Sequence, residues 1–280
     1  MQRQRTSKKK KNNIRNNSSI SSTSEIRMET SEQHTSTGSS ELSSSRRPRG
    51  LTSLDLYEHD LPKEVSTYLQ KQYSVAIDTE TSGLDYRKDT LALVQLATQN
   101  GEVFMVRRPD PSSINLRHVF YSRAKHIFHH CLFDMRFILA GLNTQLSDFN
   151  VLCTKTLSKI THPENAAGLA ANLRNMLDVH ITKAEQQTNW LADNLTQEQL
   201  WYAAGDVLYL HDLHKVLYDD MRNAQGYIYR RAISALIHQA ILQVWGYTDL
   251  LDYEKEEPEI SLANRAWWTK LRIERENNNE

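Results

Sequence analysis

Three short apolar segments that lie close together in the chain constrain the fold of this 280-residue protein more than any other feature. Residues 74–78, 90–98 and 102–106 are rich in aliphatic and β-branched residues, and Ser82-Gly83 marks a turn between the first two. Apolar runs of this length, bounded by turn residues, are typical of buried β-strands. Residues 126–129 form a fourth run of this kind. The sequence therefore predicts a β-sheet in the first half of the chain.

Helical patterns fill most of the chain around and after these strands. Helices are predicted at residues 61–71, 114–121, 132–142, 166–177, 196–220 and 227–245. Gly141 is placed to end the apolar helix that starts at residue 132. Strands that are followed by alternating strands and helices predict an α/β domain, with a mixed sheet flanked by helices.

The two ends of the chain differ from the middle in composition. Residues 1–50 have eleven Lys and Arg against four Glu, contain no aromatic residue, and are rich in Ser, Thr, Asn and Gln. Such a segment cannot bury enough apolar surface to offset its conformational entropy, so we predict a disordered basic tail. We place the folded domain at residues 51–250 and a weakly ordered polar segment at residues 251–280.

The role of the basic tail is open at the level of sequence. Residues 8–11 are four consecutive lysines, a pattern found in nucleic-acid-binding and nuclear-import segments and also in tails that increase solubility. Residues 1–24 are basic, Ser-rich and free of acidic residues, as organelle transit peptides are.

Composition predicts a soluble, intracellular protein. No apolar run approaches the roughly 20 residues that span a bilayer, and the N-terminus lacks the apolar core of a signal peptide. Cys131 and Cys153 are too few for a disulfide framework and fit a reducing compartment. We expect a cytoplasmic protein without membrane association or an obligate protein partner. An organelle or the nucleus is the alternative, through the basic tail.

A pair of carboxylates ends the first predicted strand. Side chains on a strand alternate between its two faces, so Asp78 and Glu80 project to the same face and could hold a divalent cation. Acidic residues two positions apart are common by chance, so this pair alone is a weak signal.

Two further acidic residues stand in less common contexts. Asp134 lies early in a helix, directly after the strand that contains His129, where a helix-capping carboxylate is also common. Tyr202 and Asp206 are four residues apart in the predicted helix at 196–220, which places them one turn apart on one helix face. The small residues between them, Ala203 to Gly205, indicate close packing or room for a ligand.

Together and in this order, the Asp-x-Glu, the later Asp and the Tyr-x-x-x-Asp resemble the DEDDy exonucleases, and most closely their ribonuclease D-like branch. The resemblance covers roughly residues 61–247 and is strongest from residue 189 to residue 210. It implies a ribonuclease H-like fold, with a mixed sheet of three antiparallel strands and then parallel strands, flanked by helices. It also implies hydrolysis from the 3′ end of single-stranded nucleic acid, RNA in preference to DNA, with release of 5′-mononucleotides.

The resemblance implies that Asp78, Glu80, Asp134 and Asp206 bind two ions, Mg²⁺ or Mn²⁺. Physical chemistry favours the same cations, because four converging carboxylates repel one another and hard divalent ions prefer oxygen ligands. Two such ions could hold the attacking and leaving oxygens of a displacement at phosphorus. Tyr202 is expected to orient the attacking water, because its usual pKa of about 10 makes it a poor base near neutrality.

Three more residues are predicted to bind substrate by the same resemblance: Thr81, His129 and Gln187. Thr81 would offer its backbone to the 3′ end, and Gln187 lies in a loop that approaches the substrate backbone in relatives. Trp190, in the same region, is predicted to be a packing anchor rather than a base-stacking platform. His130 departs from the family, which more often has Asn or a small residue there.

Three alternatives stay open at this point. The enzyme could act on DNA, because the same acidic set occurs in proofreading domains and the sequence does not show contacts to the 2′-hydroxyl. The chain could be an inactive nucleic-acid-binding protein on the same fold. A zinc site of His129, His130, Cys131 and Cys153 is disfavoured, because neighbouring strand residues point to opposite faces.

Overall fold

The structure, a computed structural model, describes residues 46–144, 150–181, 188–222 and 225–245. These residues form one mixed sheet of six strands with helices on both sides. The strands are β1 (Ser53–Glu58), β2 (Ser74–Thr81), β3 (Leu91–Ala97), β4 (Glu102–Arg107), β5 (Lys125–Phe128) and β6 (Val151–Cys153). Their order across the sheet is β1-β4-β3-β2-β5-β6.

The strand directions confirm the predicted mixed sheet. β2, β3 and β4 are joined by antiparallel pairing, and β5 lies parallel to β2, with β6 parallel to β5. β1 and β6 were not predicted from the sequence. β1 lies at one edge of the sheet, parallel to β4, and its side chains are mostly half-buried, so it lacks a continuous apolar run. β6 has three residues, too few for a periodic pattern.

Eight helices are described around the sheet. They are α1 (Lys63–Gln70), α2 (Ile114–Phe120), α3 (Cys131–Gly141), α4 (Thr154–Thr161), α5 (Leu169–Leu177), α6 (Gln197–Leu208), α7 (Leu210–Asp219) and α8 (Gln225–Trp245). The helix predicted at 196–220 is two helices, α6 and α7, separated at Tyr209. α4 was missed because its three threonines and one isoleucine have weak helix propensity. It is a helix because Leu157 and Ile160 pack into the core.

The centre of the sheet is buried on both faces. All seven residues of β3 are buried, as are the first four of β2. A strand covered on both sides reads as a continuous apolar run, which is why these strands were visible in the sequence. Asp78 and Glu80 therefore project from a strand that tertiary packing holds firmly in place.

The ends of the chain lie outside the described residues, as do Trp267 and Trp268. The disordered tail at 1–50, the domain at 51–250 and the polar segment at 251–280 stay predictions. Among the helices that the structure describes, none combines the length and the apolar character that a membrane crossing requires.

Candidate metal centre

Three carboxylates converge on one side of β2. Oxygen atoms of Asp78, Glu80 and Asp206 all lie within 4.8 Å of one another, and the three residues are half-buried. Asp78 and Glu80 share a face of β2 because strand side chains alternate. Asp206 arrives from α6, which packs against β2 and β3 through Ala203 and Ala204, both fully buried. The small side chains let the helix come close enough to complete the group.

Asp134 adds a fourth carboxylate from α3. It is 2% exposed, and its Oδ1 accepts a hydrogen bond of 2.8 Å from Thr79 Oγ1. Its Oδ2 is buried and has no hydrogen-bond partner among the described residues. The charge of Asp134 acts on both Asp78 and Glu80, so it belongs to the same electrostatic cluster.

The carboxylates are difficult to ionise together. Burial raises the pKa of Asp78 and Glu80 well above the ordinary range, and repulsion from the neighbouring carboxylates raises it further. Burial also raises the pKa of Asp134 and of Asp206 to about 7, against hydrogen bonds from Thr79 and Tyr202 respectively. Near neutral pH the cluster must therefore hold protons or a cation.

Tyr202 lies one helical turn before Asp206 and hydrogen-bonds to it. Burial raises its pKa far above the ordinary value of 10, and the charges of Asp206, Glu80 and Asp78 raise it further. The hydroxyl therefore stays protonated at neutral pH and is a hydrogen-bond donor or acceptor rather than a base.

A capping box fixes where α6 begins, and with it the position of Tyr202. Thr196 Oγ1 accepts a hydrogen bond from the Gln199 backbone N–H (3.2 Å), and Gln199 Oε1 accepts one from the Thr196 backbone N–H (2.9 Å). This reciprocal pair satisfies two backbone donors at the start of the helix. Tyr202 follows one turn later.

Trp190 supports Tyr202 from the side. It is 2% exposed, and its ring centroid lies 6.1 Å from that of Tyr202. Trp190 is thus a packing residue in the structure, as the sequence analysis expected.

Two arginines at the end of β4 hold the segment that follows Trp190. Arg107 pairs with Glu58 at 2.6 Å and donates hydrogen bonds to the carbonyl oxygens of Ala192 (2.9 Å) and Asp193. Arg108 donates to the carbonyl oxygen of Leu191 at 2.9 Å. This arginine clamp, defined as Arg107 and Arg108, was not predicted from the sequence. The signal available was two adjacent arginines ending an apolar strand.

Gln95 was also missed. It pairs with Asp78 across β2 and β3, and residues directly opposite in antiparallel strands project to the same face. Gln95 is fully buried, and neither atom of its amide group has a partner among the described residues. A polar residue inside the otherwise apolar run at 90–98 was the signal that could have identified it.

The structure describes two of the three predicted substrate-binding residues, and they differ in how accessible they are. Thr81 ends β2, half-buried, and its Oγ1 donates a hydrogen bond to the carbonyl oxygen of Gly83 (2.6 Å). His129 is buried, with Nδ1 2.9 Å from Thr154 Oγ1 and Nε2 2.9 Å from the carbonyl oxygen of Ala167. A hydrogen bond from His129 to a nucleotide would require one of these contacts to break. Gln187 lies outside the described residues.

The six-stranded mixed sheet with its flanking helices has the fold of ribonuclease H-like exonuclease structures, and the acidic cluster lies on that fold. A model of the 3′–5′ exonuclease family matches residues 56–222. The chain therefore belongs to the 3′–5′ exonuclease family, and the curated proteins that it resembles are ribonucleases D.

Individual relatives agree with this assignment. Ribonuclease D of Haemophilus influenzae is 32% identical over 159 residues, which are 55% of this chain and 38% of that protein. The structure of NrnC from Brucella melitensis is similar, with a TM-score of 0.63 and 31% identity over 70% of this chain and 95% of that one. Escherichia coli ribonuclease D, at 19% identity and a TM-score of 0.55 over 64% of this chain and 48% of that one, shares the fold. The chain spans about two fifths of the length of the Haemophilus ribonuclease D.

Proposed function

We propose that this protein hydrolyses phosphodiester bonds one nucleotide at a time from the 3′ end of single-stranded nucleic acid, RNA in preference to DNA, and releases 5′-mononucleotides. The observation that carries the proposal is the convergence of Asp78, Glu80 and Asp206 within 4.8 Å, with Tyr202 one turn from Asp206. The ribonuclease D relatives support RNA as the substrate class, and NrnC of Brucella melitensis has been solved bound to pGG.

The residues present fit divalent cations. The site offers three carboxylates whose oxygens lie within 4.8 Å of one another, and a fourth, Asp134, whose Oδ2 is buried with no hydrogen-bond partner among the described residues. We propose that Asp78, Glu80, Asp134 and Asp206 hold two ions, Mg²⁺ or Mn²⁺. NrnC has been solved with bound Mg²⁺, which supports the choice of ion. When bound, such ions neutralise charge on the phosphate and acidify a nearby water.

The protein's own groups would position the reactants. The protonated Tyr202 hydroxyl can hold the attacking water by a hydrogen bond, while Trp190 and the capping box at Thr196 keep the tyrosine in place. We assign Thr81 to contact the 3′ end through its backbone at the end of β2. Asp78, Glu80 and Asp206 are half-buried rather than fully buried, so part of each residue stays accessible, as contact with a strand end requires.

Tyr202→Phe is expected to lower kcat by about 10- to 100-fold, because one hydrogen bond that orients the water is lost while the ring packing on Trp190 is kept. KM for a short oligonucleotide should change little. Steady-state kinetics in Mg²⁺ measure both constants. Tyr218→Phe, at an exposed tyrosine on α7, is the matched control. An unchanged kcat in Tyr202→Phe would remove Tyr202 from the mechanism.

The proposal is tested by digesting 5′-labelled RNA and DNA oligonucleotides of the same sequence, single- and double-stranded, in Mg²⁺, Mn²⁺ or EDTA. We expect a ladder of products shortened from the 3′ end, 5′-mononucleotides as the small product, faster digestion of single-stranded RNA, and no digestion in EDTA. Preference for DNA would replace the RNA assignment. Absence of digestion of every substrate in both metals would indicate an inactive, binding member of the family.

A further inference from the structure

A basic and aromatic surface lies beside the acidic cluster, where the chain leaves two parallel strands. α3 follows β5 and α4 follows β6, and both strands run parallel to β2, so these helices begin at the same edge of the sheet that holds Asp78 and Glu80. This edge is where open α/β sheets place their ligands. His130 immediately precedes α3 and is exposed.

Two lysines of α4 supply the positive charge. Lys155 and Lys159 are four residues apart, so they lie one turn apart on one helix face. Lys155 is half-buried and close enough to Asp134 for their charges to interact, while Lys159 is exposed. The ion-paired lysines among the described residues are Lys88 and Lys215, so neither lysine of α4 is neutralised there by a carboxylate.

The rings of His130 and Phe133 form the aromatic part of the surface. Their centroids lie 6.2 Å apart with an interplanar angle of 20°, and Phe133 packs in turn on Phe137. Partial burial lowers the pKa of His130 to about 4, and the nearby charges of Lys155, Arg136 and Lys159 lower it further. The imidazole is therefore neutral at physiological pH and offers a flat, exposed ring.

We propose that His130, Phe133, Lys155 and Lys159 form a binding surface for the nucleotides immediately upstream of the scissile phosphate, in which the ring of His130 stacks on a base and the two lysines contact phosphates. Stacking on aromatic rings beside a positively charged groove is how proteins bind single strands without reading sequence. The proposal rests on the exonuclease function proposed above, and it adds the contacts that hold the strand while its last nucleotide is removed.

The position of the surface agrees with this role. The terminal nucleotide must reach the carboxylates, so the rest of the strand has to leave the pocket across its rim. α4 begins directly after β6, at the sheet edge where β2 carries Asp78 and Glu80, which places the basic helix at that rim. In a duplex the bases are paired and stacked on one another, so they are not available to stack on His130. The surface therefore favours single strands.

Two substrates separate this proposal from the exonuclease function itself. The 5′-p-nitrophenyl ester of uridine monophosphate contains one nucleoside, and its leaving group replaces the upstream strand. A single-stranded RNA pentanucleotide contains the upstream bases and phosphates. Wild-type hydrolysis of both is the baseline, and failure to hydrolyse either would count against the exonuclease function rather than against the surface.

His130→Ala is expected to raise KM for the pentanucleotide about tenfold, with kcat nearly unchanged, because a base loses its stacking partner. His130→Phe should keep KM close to the wild-type value, since stacking needs a flat ring and no proton. Neither change should alter hydrolysis of the p-nitrophenyl ester by more than about twofold.

The Lys155→Ala/Lys159→Ala double variant should also raise KM for the pentanucleotide. The slope of log KM against log salt concentration should become shallower by about 1.4, for two lost phosphate contacts on a single strand. Lys63→Ala/Lys71→Ala, at two exposed lysines at the ends of α1, is the charge-matched control and should behave like wild type.

Equal losses on both substrates would overturn the proposal, because the residues would then support the pocket rather than the upstream strand. An unchanged KM and an unchanged salt slope for the pentanucleotide in all variants would overturn it as well. Thermal unfolding of each variant distinguishes these outcomes from loss of the fold.

Discussion

Asp206→Asn is expected to lower the rate of nucleotide release in Mg²⁺ by about a thousandfold or more. The substitution keeps the size of the side chain and removes one of the three carboxylates that meet within 4.8 Å. A thousandfold loss corresponds to about 4 kcal/mol of transition-state stabilisation, which is reasonable for a group that we propose to hold a catalytic cation. Single-turnover release of the terminal nucleotide from a 5′-labelled oligonucleotide measures the rate directly.

The matched control for this experiment is Asp212→Asn. Asp212 is an exposed aspartate in the first turn of α7, six residues further along the chain and outside the acidic cluster. It should retain the wild-type rate. If Asp206→Asn kept more than about a tenth of the wild-type rate while remaining folded, Asp206 would have no essential part in the reaction.

The same substitution should stabilise the protein when divalent ions are removed. The pKa of Asp206 and of Asp134 is raised to about 7 in the folded protein, whereas an unfolded Asp has a pKa of about 3.9. Raised carboxyl pKa values favour folding below about pH 4, and this contribution is lost as pH rises towards 7. In EDTA, Asp206→Asn should therefore unfold at a temperature higher by about 5 °C or more at pH 8.

Two controls test the predicted rise in Tm: a change of pH in EDTA and the addition of Mg²⁺. The difference in Tm between Asp206→Asn and wild type in EDTA should shrink as pH falls from 8 towards 4, because the carboxylates take up protons. Saturating Mg²⁺ should raise the Tm of wild type more than that of the variant, since a ligand present at a hundred times its Kd stabilises by about 2.7 kcal/mol. A variant less stable than wild type in EDTA at pH 8 would contradict the assigned electrostatics.

The central strands were predictable because burial on both faces leaves a continuous apolar run. β2 to β5 appear in the sequence for this reason, and all four predicted starts lie within one residue of the observed ones. β1 and β6 were not predictable in this way. β1 is a half-buried edge strand, and β6 is too short for periodicity, so both depend on pairing with distant strands.

The acidic cluster was predicted from the order of the acidic residues rather than from any one of them. Asp134 illustrates the difference, since its position early in α3 is equally typical of a residue that interacts with the helix terminus. The sequence marks Arg107, Arg108 and Gln95 by their unusual positions, but it does not identify the distant residues that they meet. The arginine clamp joins β4 to residues 191–193, and Gln95 in β3 lies directly opposite Asp78 in the neighbouring strand β2.

The arginine clamp also defines where a shorter catalytic fragment can begin. Arg107 contacts Glu58 at the end of β1 and the backbone just after Trp190, so the edge strand and the support of Tyr202 depend on the same guanidinium. The family match starts at residue 56, in the middle of β1. A fragment cut there would lose half of the strand that carries Glu58, so a shorter fragment should begin before Ser53, where β1 starts.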